Sequence, residues 1–151
     1  MAFWNKLRES TQTLQTQLLS KKNELQSGAF RDASMAMCAL VAAADGSVDP
    51  SERQRTASLI TSNEVLKNFP ADVLQQRFND YVSQLTADFD IAKVSVLQDI
   101  AKTKKKPTEA RAVIQIGIII GGADGHFDDN EKAIVRDACF AVGLNPAEFE
   151  L

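Results

Sequence analysis

A ten-residue motif occurs twice in this chain, at residues 44–53 and again at residues 123–132. Both copies follow the pattern Ala-Asp-Gly-x-apolar-Asp-x-x-Glu-basic without a gap. Chance repetition at this length is improbable, so we interpret the pair as a duplicated structural unit. The Asp-Gly step is typical of a helix end, and the later Asp-x-x-Glu step is typical of a helix start. The repeat therefore predicts two helix-loop-helix units.

Apolar residues recur at helical spacing along nearly the whole chain, and glycine and proline are scarce. We predict an N-terminal helix over residues 3–26, a first repeat over about 29–61 and a second repeat over about 108–142. Helices over residues 71–87 and 91–100 lie between the repeats. The sequence therefore predicts an all-α fold, a compact bundle of about seven helices in a single domain over residues 1–151.

Local signals give the expected boundaries and faces of these helices. Pro50 suits the first helical position of the second helix in repeat one. Thr108 is expected to cap the helix that contains the apolar stretch 114–120, which should be the most buried element. In the helix over residues 91–100, the inward face is expected to hold Ile91, Val94, Leu97 and Ile100.

Composition excludes several classes of function. A net charge of −3 without a broad basic stripe argues against nucleic-acid binding. The longest apolar run is too short to span a membrane, and the N-terminus lacks the apolar core of a secretory signal. Cys38 and Cys139 fall on apolar helix faces, which favours buried free thiols in a reducing cytoplasm. No phosphate loop, zinc spacing or nucleophile-base pair is visible, so we expect no enzymatic activity.

The two loops share three carboxylates within eight residues, which is the ligand chemistry of hard cations such as Ca²⁺ and Mg²⁺. No organic cofactor is expected. The pattern matches only the second half of an EF-hand loop, because the early ligand positions are apolar or glycine in both copies. The candidate metal ligands are Asp45, Asp49, Glu52, Asp124, Asp128 and Glu131.

Helix capping is the alternative explanation for these acids. Asp49 with Glu52, and Asp128 with Glu131, have the spacing of capping boxes, which satisfy backbone N–H groups at a helix start. Capping leaves Asp45 and Asp124 less well explained, so these residues carry most of the argument for a cation.

Two further polar features have ordinary interpretations. His126 is the one histidine of the sequence, and we expect an exposed loop side chain because its counterpart in repeat one is Ser47. The basic cluster, defined as Lys102, Lys104, Lys105 and Lys106, is expected in a solvated connector. If this cluster lies opposite the acidic loops, the molecule has two oppositely charged ends, which guide docking to partners.

The paired acidic loops, the N-terminal helix with Phe3 and Trp4, and the tail at residues 145–149 together resemble the tellurite-resistance TerB family. The resemblance implies a small all-helical bundle of duplicated four-helix character, encoded in bacterial operons for resistance to tellurite and other stresses. It implies that the acidic residues of both loops form a divalent-metal site. It also implies protein partners in a stress-resistance complex associated with the membrane.

These expectations combine into a cytoplasmic, non-enzymatic module that binds divalent cations and signals to protein partners. One alternative is a metal-independent scaffold whose acidic face binds a basic protein surface. Another is an adaptor recruited to the inner membrane by the N-terminal helix, although the polar face of that helix is not especially basic.

Overall fold

The computed structural model describes residues 2–123 and 127–151, with side chains from residue 11 onward. Within these residues the chain forms helices and no strand. Short 3-10 turns lie at Lys22–Glu24, Leu66–Asn68 and Pro146–Phe149. The α-helices are α1 (Ala2–Ser20), α2 (Gly28–Ala42), α3 (Pro50–Ser62), α4 (Ala71–Ala87), α5 (Phe89–Ala101), α6 (Pro107–Gly121) and α7 (Asp129–Val142). The prediction of an all-α bundle is confirmed.

The centre of the bundle is the pair α2 and α6, which run in the same direction. At their N-terminal ends, Ser27 Oγ donates a hydrogen bond of 3.0 Å to Glu109 Oε2. At their C-terminal ends the side chain of Val41 packs against the backbone of α6, since a Cβ built on Gly121 would lie 2.5 Å from Val41 Cγ1. Both helices are largely buried, and α6 carries the predicted apolar stretch. The two repeats therefore turn at the same end of the molecule.

Helices α2 and α3 flank the first loop, and α6 and α7 flank the second. Thr108, however, does not cap α6. Lys106 occupies the capping position without a side-chain hydrogen bond, and Pro107 is the first helical residue. The N–H group that proline lacks would have no partner within the helix at this position, and the fixed φ of proline already suits a helix start.

The N-terminal helix is shorter than predicted, because α1 ends at Ser20 rather than at residue 26. Asn68 accounts for the change of direction: its side-chain amide donates to the carbonyl oxygens of Lys22 (2.8 Å) and Leu25 (3.0 Å). These bonds satisfy carbonyl groups that a continuing helix would have used. The turn buries Leu25 completely.

The predicted inward face of α5 is wrong in part. Ile91 is 72% exposed and Val94 is 59% exposed, whereas Ile100 is buried as predicted and Leu97 is half-buried against the core. The buried side chains are Ala92, Val96 and Ile100, at spacing i, i+4 and i+8. Ala92 is therefore part of the buried face, and a pattern based on large apolar residues misses it.

Candidate functional site

The first loop turns at Asp45 and Gly46. Gly46 has φ +94°, a left-handed conformation that side chains other than glycine rarely adopt. Asp45 Oδ1 accepts a hydrogen bond of 3.2 Å from the backbone N–H of Ser47, which closes a local turn. Asp45 therefore has a structural role within its own loop.

Helix α3 begins immediately after this loop, with Asp49 as its cap. Asp49 Oδ1 accepts from the backbone N–H of Glu52 (2.8 Å) and from the hydroxyl of Ser51 (2.7 Å). These bonds, with a smaller contribution from the charge of Arg55, hold the pKa of Asp49 below its ordinary value. Pro50 occupies the predicted first helical position.

The second loop delivers Phe127 into the core, where it is 4% exposed, and then starts α7 at Asp128. Asp128 Oδ1 accepts from the backbone N–H of Glu131 (2.8 Å), and Glu131 Oε1 accepts from the backbone N–H of Asp128 (3.2 Å). This is the complete capping box that the sequence predicts. In the first loop only the aspartate half is formed. The predictions for Asp124 and His126 lie outside the described residues.

The two loops meet at one cleft of about 230 Å³. It lies between the C-terminal ends of α2 and α6 and the starts of α3 and α7. Asp45 and Glu52 line it from the first repeat, and Asp128 and Glu131 line it from the second. The other described lining residues are Cys38, Val41, Ala42, Ala44, Arg55, Thr56, Leu59, Ile120 and Gly121. Two pairs of candidate ligands, which are distant from each other in sequence, therefore share one cleft.

Asp49 is not among the residues that line this cleft, although the repeat predicts it as a ligand. In the described part of the chain, no three His, Cys, Asp or Glu side chains are grouped closely enough to hold a metal ion. The carboxylates of the cleft therefore share a space without forming a ready-made coordination shell among the described residues.

The sequence motif did not predict that α3 lines the cleft beyond Glu52 as well. Glu52, Arg55, Thr56 and Leu59 line the cleft at spacing i, i+3, i+4 and i+7, which is one face of a helix. Helical periodicity continued past the motif would have placed Arg55 beside Glu52. Cys38 was predicted as a buried thiol, but its place at the cleft was not.

The thiol of Cys38 is suited to packing rather than to reaction. It is 1% exposed, and burial raises its pKa to about 12. Because the thiolate is the reactive form and the soft metal ligand, Cys38 stays a neutral apolar part of the cleft wall near neutral pH. The ionised groups of the cleft are oxygen donors, together with the guanidinium of Arg55.

Residues 31–151 match the sequence model of a family described as tellurite resistance protein TerB. The chain belongs to the TerB family. A relative named tellurium resistance protein TerB, from an Alcaligenes species, is 25% identical over 118 residues, which are 78% of this chain and 97% of the relative. No solved structure matched the chain. Membership in the TerB family connects this chain to tellurite resistance.

Helix α1 lies before the range that matches the TerB family, because the match begins within α2. The Phe3 and Trp4 helix, which contributed to the resemblance, is therefore an addition to the matched region. None of the helices formed by residues 2–123 and 127–151 is long and apolar enough to cross a membrane.

The basic cluster of this TerB chain lies at the far end of α6 from the cleft. Lys106 directly precedes α6, whereas Gly121 at the C-terminus of α6 lines the cleft, and a helix of this length spans about 22 Å. Part of the cluster is paired: Lys102 Nζ lies 3.0 Å from Asp99, and Lys106 Nζ lies 3.9 Å from Glu109. The basic cluster and the acidic cleft therefore lie at opposite ends of α6.

Proposed function

We propose that this TerB-family chain is a non-enzymatic, cytoplasmic binding module of a tellurite-resistance system, which takes up Ca²⁺ or Mg²⁺ in the cleft between its two acidic loops. Protein partners of a stress-resistance complex at the inner membrane bind the cation-bound and cation-free states with different affinity. The observation that carries this proposal is the convergence of Asp45 and Glu52 with Asp128 and Glu131 on one cleft.

The donor chemistry of the cleft fits a hard cation. Carboxylate oxygens are the side-chain ligands that Ca²⁺ and Mg²⁺ prefer, and both ions complete their coordination with water or carbonyl oxygens. Capping does not exclude this use, since the capping bond of Asp128 involves Oδ1 and a carboxylate has two oxygens with about four acceptor positions in all. Asp124 remains a predicted ligand.

The position of the carboxylates indicates how binding would reach a partner. Glu52 belongs to the first turn of α3, and Asp128 and Glu131 belong to the start of α7. A cation that bridges the two loops would tie the starts of α3 and α7 together, and this link would be lost when the cation leaves. Partner affinity then follows cation occupancy because it depends on the relative position of these two helices.

Calorimetric titration of the chelator-treated protein with CaCl₂ and MgCl₂ tests the proposal. We expect the wild type to bind at least one of these cations. Asp128→Asn keeps a good helix cap while it removes one charge from the cleft, so it should weaken binding about tenfold. Glu52→Gln should have a similar effect from the other repeat.

Asp49→Asn is the matched control, because it makes the same charge change in a capping aspartate that does not line the cleft. Its affinity should stay within about twofold of wild type, since an exposed charge outside the site acts only through screened electrostatics. Absence of binding to the wild type would sink the proposal. An equal loss in Asp49→Asn would show that the cleft is not the site.

A metal-independent acidic docking surface is the second candidate. The observation that favours it is that Asp45 and Asp128 already accept hydrogen bonds from backbone N–H groups of their own loops, a role that needs no cation. In that case a basic peptide should bind with the same affinity in the presence of chelator and of saturating Ca²⁺, and the binding should weaken steeply with added salt.

A further inference from the structure

Arg55 is the one basic side chain among the described residues that line the cleft. It lies one helical turn beyond Glu52 on the same face of α3, and it shares the cleft with carboxylates from both repeats. Four carboxylates in one small volume repel each other, and a guanidinium among them reduces that repulsion. Arg55 therefore brings a positive charge into the same cleft as the four carboxylates.

The residue that corresponds to Arg55 in the second repeat is not basic. When the two motifs are aligned, Arg55 corresponds to Ile134, which is 4% exposed and belongs to the core. The basic residue that both repeats share is Arg53 in the first copy and Lys132 in the second. Arg55 is therefore a charge that only one repeat carries, and the shared motif does not require it.

Arg53 has a different role from Arg55, although only one residue separates them. Its guanidinium donates to the side chain of Asn79 (3.0 Å) and to the carbonyl oxygen of the same residue (3.2 Å), which joins α3 to α4. It does not line the cleft. Arg55, in contrast, lines the cleft with carboxylates from both repeats.

We infer that Arg55 is an internal counter-ion of the cleft, which competes with the divalent cation and so limits its affinity. This inference rests on the proposed cation-binding function and names how that site is regulated. Without a divalent cation, Arg55 offsets the charge of the carboxylates. A divalent cation must displace the guanidinium, so binding is coupled to movement of the Arg55 side chain.

Titration of three variants tests the inference. Arg55→Gln removes the competing charge and should tighten Ca²⁺ or Mg²⁺ binding about tenfold at low ionic strength. Arg55→Lys keeps a charge and should stay close to wild type. Arg53→Gln makes the same charge change on the same helix outside the cleft, so its cation affinity should move much less than that of Arg55→Gln.

Thermal unfolding in chelator supplies a readout that does not depend on cation binding. Arg55→Gln should unfold at a lower temperature than wild type, and added NaCl should narrow the difference because it screens the carboxylates from each other. Added Ca²⁺ or Mg²⁺ should raise its midpoint more than it raises that of wild type.

The two readouts separate the possible failures. If wild type binds a cation and Arg55→Gln binds it no more tightly than Arg53→Gln does, the inference is wrong and the proposed function stands. If no variant binds a cation, the proposed function fails, and a salt-dependent loss of stability in Arg55→Gln alone would still support the counter-ion. If no variant binds a cation and Arg55→Gln shows no salt-dependent loss of stability, both the inference and the proposed function are overturned.

Discussion

Gly121 occupies the point where the last turn of α6 meets α2 and the second loop. A Cβ at this position would lie 2.5 Å from Val41 Cγ1 and 3.1 Å from Phe127 Cε2, and both of these side chains are buried. We expect Gly121→Ala to destabilise the protein by about 1–3 kcal/mol, the usual cost of overpacking a core. Urea denaturation of the variant and the wild type measures this difference.

Gly28→Ala is the control for the effect of alanine on helix stability. Gly28 is exposed at the start of α2, and a Cβ there would meet nothing closer than 3.6 Å, at the side chain of Arg31. This variant should be as stable as wild type or slightly more stable, because alanine favours helices. A Gly121→Ala variant as stable as Gly28→Ala would contradict the close approach of α2 and α6.

The candidate site could be predicted from sequence only as a set of residues. The repeat identified Asp45, Glu52, Asp128 and Glu131 because a duplicated pattern is visible without a structure. It did not predict that they line one cleft, since that depends on α2 and α6 running in parallel and turning at the same end. Arg55 was missed for another reason: it lies beyond the shared motif, where the two copies differ.

At the scale of the helix, α3 and α7 begin with the same motif but are not capped alike. The bond from the backbone N–H of Glu52, with that from the Ser51 hydroxyl, lowers the pKa of Asp49. A carboxylate with a lowered pKa stabilises the folded state fully above its unfolded-state pKa of about 4, and this contribution is lost as pH falls through the folded-state pKa. Wild type should therefore exceed Asp49→Asn in stability at neutral pH, and the difference should shrink below about pH 4.

Urea midpoints measured from neutral pH downward check this expectation. Ser51→Ala removes one of the hydrogen bonds that lower the pKa of Asp49. The stability of this variant should therefore begin to fall at a higher pH than the stability of wild type does. A difference between wild type and Asp49→Asn that stays constant through the acid range would show that the carboxylate charge of Asp49 contributes nothing to folding.

The number, type and order of the helices could be predicted from apolar periodicity and from the residues that start and end helices. The errors arose where tertiary contacts determine a helix end or a buried face. The end of α1 depends on hydrogen bonds from Asn68, which is distant in sequence. The inward face of α5 is set by the small Ala92, and side-chain size alone favoured Ile91 and Val94. Local pattern therefore predicted which segments are helical better than it predicted which face each helix buries.

In the whole molecule, both repeats begin at the end where Ser27 meets Glu109 and turn at the cleft. Cys38 on α2 and Cys139 on α7 are both buried in the core that joins the repeats. Burial raises the pKa of each thiol to about 12, with the charge of Glu148 adding to the effect at Cys139. The two thiols therefore report whether the repeats open together or separately.

We expect both cysteines to react with a thiol reagent at the same slow rate at mildly alkaline pH, because the reactive thiolate forms only when the molecule unfolds. Peptide mapping by mass spectrometry follows each site in the unmodified protein.

The raised pKa values stabilise the folded state below the ordinary thiol pKa of 9.0, and this contribution is lost as pH rises toward about 12. Labelling of both sites should therefore accelerate together above about pH 9. A bound cation should slow both sites equally, whereas faster labelling of Cys38 alone would show that the cleft opens while the rest of the bundle stays folded.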